Sequence, residues 1–128
     1  MNYFFNKKVE LSFDDAIQKV TEELKKDGFG VLTEIDVKGT LKKKLDVDFK
    51  NYRILGACNP GFAYQALQNE DKIGVMLPCN VIVEENEDGS VEISAVDPVA
   101  SMQAISNENL GKIAGEVRDK LRSVVERL

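Results

Sequence analysis

Two alternating runs, Cys79–Glu84 (Cys-Asn-Val-Ile-Val-Glu) and Val91–Val96 (Val-Glu-Ile-Ser-Ala-Val), are separated by a short polar stretch containing Asp88-Gly89. That dipeptide tolerates the left-handed backbone of a tight hairpin, so the two runs are predicted as neighbouring antiparallel strands. Nothing else in the chain restricts its fold as much. Once these strands pair, the start of one and the end of the other lie side by side, and the flanking residues Leu77-Pro78-Cys79 and Asp97-Pro98 meet at one edge of a sheet.

The remaining elements follow from periodicity and punctuation. Tyr3 to Val9 reads as a first strand. Ser12 offers a helix N-cap with Asp15 three residues on, Leu11 can staple toward Ala16, and Phe13, Ala16, Ile17, Val20 and Leu24 share one helical face until Gly28 ends it. Phe29 to Val37 is a second strand, followed by a short lysine-rich helix opening at Gly39-Thr40, with Leu41 and Leu45 on its buried side. Asn51 to Cys58 is a third strand, with Tyr52, Ile54, Gly56 and Cys58 on one face and Arg53, Leu55 and Ala57 on the other. Pro60 to Leu67 suits a short helix carrying Phe62, Ala63, Ala66 and Leu67, capped by Asn59, with proline in the first turn where its missing N–H costs nothing. An apolar run, Ile73 to Leu77, leads to Pro78 and the hairpin; a last helix starting near Ser106 or Asn107 presents Leu110, Ile113, Val117, Leu121, Val124 and Leu128. The order is β-α-β-α-β-α-β-β-α. It predicts an α+β two-layer sandwich, a mostly antiparallel five-stranded sheet with helices on one face, folded as a single domain over residues 1–128.

Several function classes are excluded or disfavoured by composition. The net charge of -5 gives no field that would draw the molecule to nucleic acid or an anionic membrane. Lys38, Lys42, Lys43, Lys44 and Lys50 bunch together, but Asp46 and Asp48 interrupt them, and a solvated helix face is the expected reading. With no histidine, acid/base work would fall to carboxylates, thiols, lysines or tyrosines. The N-terminal residues carry too short an apolar stretch for a signal peptide or a membrane span, so a cytoplasmic location is expected, with both cysteines as free thiols. Phe4, Leu32, Leu55, Ile82 and Val96 fall on the strand parity opposite the expected helix-covered face. An apolar second sheet face is usually covered, and a second copy of the chain about a two-fold axis, a homodimer, is the expected cover.

All three prolines stand at sheet corners: Cys58-Asn59-Pro60, Leu77-Pro78-Cys79 and Asp97-Pro98. If the third strand pairs beside the fourth, Cys58, Cys79 and Asp97 converge, with Met102 close by. The amides of Gly61 and Phe62, at a helix start capped by Asn59, would favour an anion and a thiolate. Two thiols could form a redox pair or, with Cys58 and Cys79 as ligands, a soft-metal site to which Asp97 adds an oxygen. The same residues also have an ordinary structural reading, since free cysteine packs as a small hydrophobe and prolines punctuate strand ends. Composition and spacing leave both open.

The succession Gly28-Phe29-Gly30-Val31-Leu32-Thr33-Glu34-Ile35-Asp36-Val37, Arg53-Ile54-Leu55-Gly56-Ala57-Cys58-Asn59-Pro60, Ile73-Gly74-Val75-Met76-Leu77-Pro78-Cys79-Asn80-Val81, then Val96-Asp97-Pro98 and Met102 resembles the domain of unknown function 302 family over nearly the whole chain. The resemblance implies a two-layer α/β domain with a tendency to form homodimers, and it brings no function. The signature positions it carries over are Asn59, Pro60, Leu77, Pro78, Cys79, Asp97, Pro98 and Met102, with Cys58 before Asn59. The expectation taken forward is a homodimeric binding or sensory module. Its pocket would lie at the Cys58, Asn59, Pro78, Cys79, Asp97 corner, with Gly61 and Met102 contributing, for a small anion, sulfur species or soft metal. The alternatives are a thiol-dependent redox protein or enzyme using Cys58 or Cys79, and a structural oligomerisation module.

Overall fold

Ser12 ends the first extended segment and starts the first helix: its Oγ accepts the Asp15 N–H at 3.1 Å, satisfying one of the amides that a helix start leaves open. The computed structural model describes residues 2–128. Its strands are β1 (Phe4–Val9), β2 (Gly30–Asp36), β3 (Tyr52–Cys58), β4 (Cys79–Glu85) and β5 (Val91–Val96). The helices are α1 (Phe13–Lys26), α2 (Val37–Leu45), α3 (Pro60–Asn69), α4 (Pro98–Ser101) and α5 (Glu108–Glu126), and a 3₁₀ turn spans Asp71–Met76. The sheet order is β1-β5-β4-β3-β2 and every pairing is antiparallel. The expected α+β order holds, with the 3₁₀ turn and the one-turn α4 as additions.

The register decides which side chains share a face. Leu55 pairs with Val81 and Val81 with Ala95, while Val83 pairs with Ile93. Directly opposed residues point to the same side of a sheet, and these meet Ala16, Val20 and Leu24 of α1 and Val117, Leu121 and Val124 of α5 in one buried cluster. Each fully buried Val, Leu or Ile of this set contributes roughly 1.5–3 kcal/mol. Ile35, Ile54, Ile82 and Ser94 form a row on the opposite face, and Phe4 pairs with Val96 beside it. Leu55, expected on that second face, therefore belongs to the covered one, because it is matched to Val81. Leu32 falls where the β2 register shifts between Val31 and Thr33 and is 69% exposed.

α2 starts earlier than Gly39, at Val37, because the Asp36 carboxylate accepts the Gly39 N–H at 3.0 Å. Leu41 is half-buried, but Leu45, expected on the buried side, is 66% exposed. This short helix has β2 and β3 as its main neighbours. Its lysine face is solvated as expected, with Lys42 bridging Asp46 at 3.0 Å and Asp48 at 3.4 Å. At the other end of the sandwich, Arg127 closes the chain onto α1. Its Nε meets buried Glu23 at 3.2 Å and its Nη2 meets Asp27 at 3.1 Å.

A second, smaller cluster lies beyond the β3 and β4 ends. Ala66 of α3, Ile73 of the 3₁₀ turn and Leu110 of α5 are buried there, with Leu77, Met102, Ile105 and Ile113 packed around them.

Candidate functional site

β3 and β4 run antiparallel with Ala57 opposite Cys79, so the C-terminal end of β3 and the N-terminal start of β4 coincide. Cys58, opposite Gly30 of β2, is at the same end. This is the corner expected from the prolines, and it is hollow: a cavity of about 350 Å³ opens there. Its walls combine Phe29, Ala57, Cys79 and Val117 of the larger cluster with Ala66, Leu77, Met102, Leu110 and Ile113 of the smaller one. The void is the seam between the two.

Of the residues singled out from the sequence, Cys58, Asn59, Cys79 and Met102 line the cavity, as do Pro78 and Pro98, whereas Gly61 and Asp97 do not. Asp97 is buried and occupied elsewhere. Its Oδ1 accepts the Val99 N–H at 3.0 Å and its Oδ2 lies 3.5 Å from Arg118 Nε. It acts as the cap of α4. Asn59 stands at the N-cap position of α3, yet its side chain makes no capping bond. The amide instead donates from Nδ2 to the Asp27 carbonyl at 3.1 Å, where Gly28, at φ +85°, turns the chain out of α1 with no Cβ to strike it. The expected cap is thus replaced by a tie between the end of α1 and the cavity wall. The first-turn amides of α3 are left without a side-chain cap, and of the two residues that carry them Phe62 lines the cavity and Gly61 does not.

Cys58 is half-buried and Cys79 buried, and both are free thiols. Burial, reinforced by the negative charge Cys58 would carry, pushes the Cys79 thiol up to about 11. Among the described residues no group of three or more cysteine or carboxylate side chains is gathered to hold a metal ion. Gly56 shows how tightly the rim is built, since a Cβ there would meet Thr33 Oγ1 and stand 2.8 Å from Pro78 Cγ.

The sequence reading missed most of the wall. Phe29, Leu32, Thr33, Phe62, Leu67, Leu110, Ile113 and Ala114 all face the cavity. One signal was present: the apolar stripe of the last helix starts at Leu110, about two turns before Val117, where the sheet-side core begins. A second, more open depression between Lys38, Asp48, Phe49, Lys50, Glu85 and Glu87 mixes both charge signs.

The profile described as "Domain of unknown function DUF302" matches residues 5–128. The chain belongs to this family. Among solved structures, the DUF302 chain resembles "uncharacterized conserved protein DUF302 from Bacillus stearothermophilus", with a TM-score of 0.92 and 27% identity over 99% of this chain and 98% of that one. No curated protein matches it significantly. For a DUF302 domain, then, the fold is shared and the cavity geometry carries the functional argument. Among the described residues no helix is long and apolar enough to cross a membrane.

Proposed function

We propose that this DUF302 domain is a small-molecule-binding module, working as a cytoplasmic homodimer, and that it takes a neutral apolar ligand in the corner cavity. The observation that carries the reading is the cavity itself: about 350 Å³, walled by aliphatic and aromatic side chains, with no charged residue in its lining among the described residues. It is more than twice the roughly 150 Å³ void that admits benzene. A medium-length hydrocarbon chain or a two-ring compound matches that size, and pockets of this kind are the usual form of small-ligand sites. A small anion, by contrast, would find no cation in the lining among the described residues to meet it.

The neutral fluorophore N-phenylnaphthylamine tests this. Saturable binding with a stoichiometry of one per chain is expected, and Ala114→Leu, which places a larger side chain in the wall, should weaken it at least about tenfold without changing the fold by circular dichroism. Unsaturable binding, or equal binding by that variant, would remove the cavity from the argument.

The homodimer is supported by the apolar second sheet face, where Ile35 is exposed and Phe4, Ile54 and Ile82 are only half-buried. Sedimentation equilibrium should give twice the 14.3 kDa chain mass, and Ile82→Lys should shift it to the monomer. A monomer at all concentrations for the unmodified chain rejects this part of the proposal. The thiol-enzyme reading rests on Cys58, because the Cys79 sulfur is held protonated by its burial.

A further inference from the structure

The polar atoms of the cavity wall are few, and most are grouped. Thr33, Cys58 and Asn59 come from the paired ends of β2 and β3, while the rest of the wall is aliphatic, aromatic or sulfur-bearing. The Asn59 amide gives one N–H to the Asp27 carbonyl. Its second N–H and its Oδ1 have no protein partner among the described residues, so a ligand oxygen could be bound there. Cys79, nine-tenths buried, also lines the cavity without a hydrogen-bond partner among the described residues. A ligand that satisfied this wall would be apolar along most of its length, uncharged, and would carry a hydrogen-bond acceptor and a sulfur-seeking carbon at one end.

We propose that the cavity takes medium-chain α,β-unsaturated ketones or aldehydes and that Cys58 Sγ adds to their β-carbon. This rests on the reading of the cavity as a ligand site. The chain would lie among the aliphatic side chains, and the carbonyl oxygen would accept the free Asn59 N–H. Attack by sulfur forms the C–S bond and shifts the C=C electron pair toward the carbonyl as an enolate. The proton that left the thiol is returned, through water, to the α-carbon. One thiol and one enone give one thioether; nothing is oxidised and no group leaves. Such a domain would report or hold reactive carbonyl compounds of the size of lipid-breakdown fragments. Cys58 fits the role better than Cys79, because the half-buried residue adjoins Asn59, the only side-chain amide in the wall among the described residues, whereas Cys79 is buried.

The test compares a pentyl-substituted enone with methyl vinyl ketone on the full reduced chain, read by intact mass and peptide mapping, with glutathione as the reference thiol. The expected result is a single adduct at Cys58. The preference for the pentyl compound should exceed that of glutathione by at least about tenfold, since the cavity holds the reactants together. In Ala114→Leu the preference should fall to the glutathione value while methyl vinyl ketone still labels Cys58. The inference is overturned if the adduct forms elsewhere, if the preference equals that of glutathione, or if Ala114→Leu leaves the preference intact. Its failure is separable from that of the binding reading. Saturable N-phenylnaphthylamine binding to Cys58→Ala, with no selective labelling of the unmodified chain, retains the cavity as a site and discards the addition; loss of both discards both.

Discussion

The core beneath the sheet and the cluster beneath α3 use the same kinds of side chain, and one is filled where the other leaves a void. In the first, two long helices lie along a sheet, and rows such as Leu55, Val81 and Ala95 meet Val20, Leu24 and Leu121 across the interface. Among the described residues seventeen are buried there, against three, Ala66, Ile73 and Leu110, in the second. The second is assembled from a short helix, a 3₁₀ turn and a one-turn helix, with alanines at positions 63, 66 and 114 facing the seam. Short elements with small side chains cannot reach across the gap. The difference teaches that the cavity is a consequence of which elements meet, at the place where the sheet stops and α5 continues.

The largest effect that would break this comparison is on stability. Leu121 and Ile73 are both fully buried. Leu121→Ala should cost about 2–5 kcal/mol of global unfolding free energy, as large-to-small core changes do. Ile73→Ala should cost less in the global transition and act locally, raising amide exchange across residues 60–77 while leaving the β4–β5 hairpin protected. Denaturant unfolding with hydrogen exchange read by mass spectrometry measures both. Equal global losses with unchanged local exchange would mean that the two clusters are one cooperative core.

Legibility in the sequence follows the same division. Where helix and strand periods operate over full-length elements, the sequence is explicit: Ser12 caps α1, Gly89 at φ +86° turns the hairpin, and Asn107 Oδ1 accepts the Leu110 N–H to start α5. That Cys58 and Cys79 lie at the same end of the sheet was also readable, since it needs only strand pairing. Side-chain direction at the corners was not. Asn59 occupies a cap position but turns to Asp27, and Asp97 spends its carboxylate on α4 and Arg118, because nearby backbone groups compete for the same short side chains. The parity of Leu55 failed for a related reason: β3 is apolar on both faces, so alternation alone could not assign them. The void itself has no sequence signature, being a property of the distance between two surfaces.

Cys79 offers the smallest effect and the sharpest probe of the seam, because its sulfur stands in the larger cluster and faces the cavity. Its thiol is pushed up to about 11, first by burial and then by the charge Cys58 would carry. The folded chain therefore holds this proton over a pH range in which the unfolded chain, with a thiol near 8.5, releases it. The associated stability is fully present below pH about 8.5 and is lost as pH rises toward 11, a change on the order of 1–3 kcal/mol. In the Cys58→Ser background, alkylation of Cys79 by iodoacetamide should stay slow until pH approaches 11, and the alkaline loss of stability should shrink because one cause of the shift has been removed. Alkylation at the rate of an unfolded cysteine near pH 8.5 would mean that water already fills the seam. The cavity would then be wet, and its preference for an apolar ligand would have to come from displacing that water.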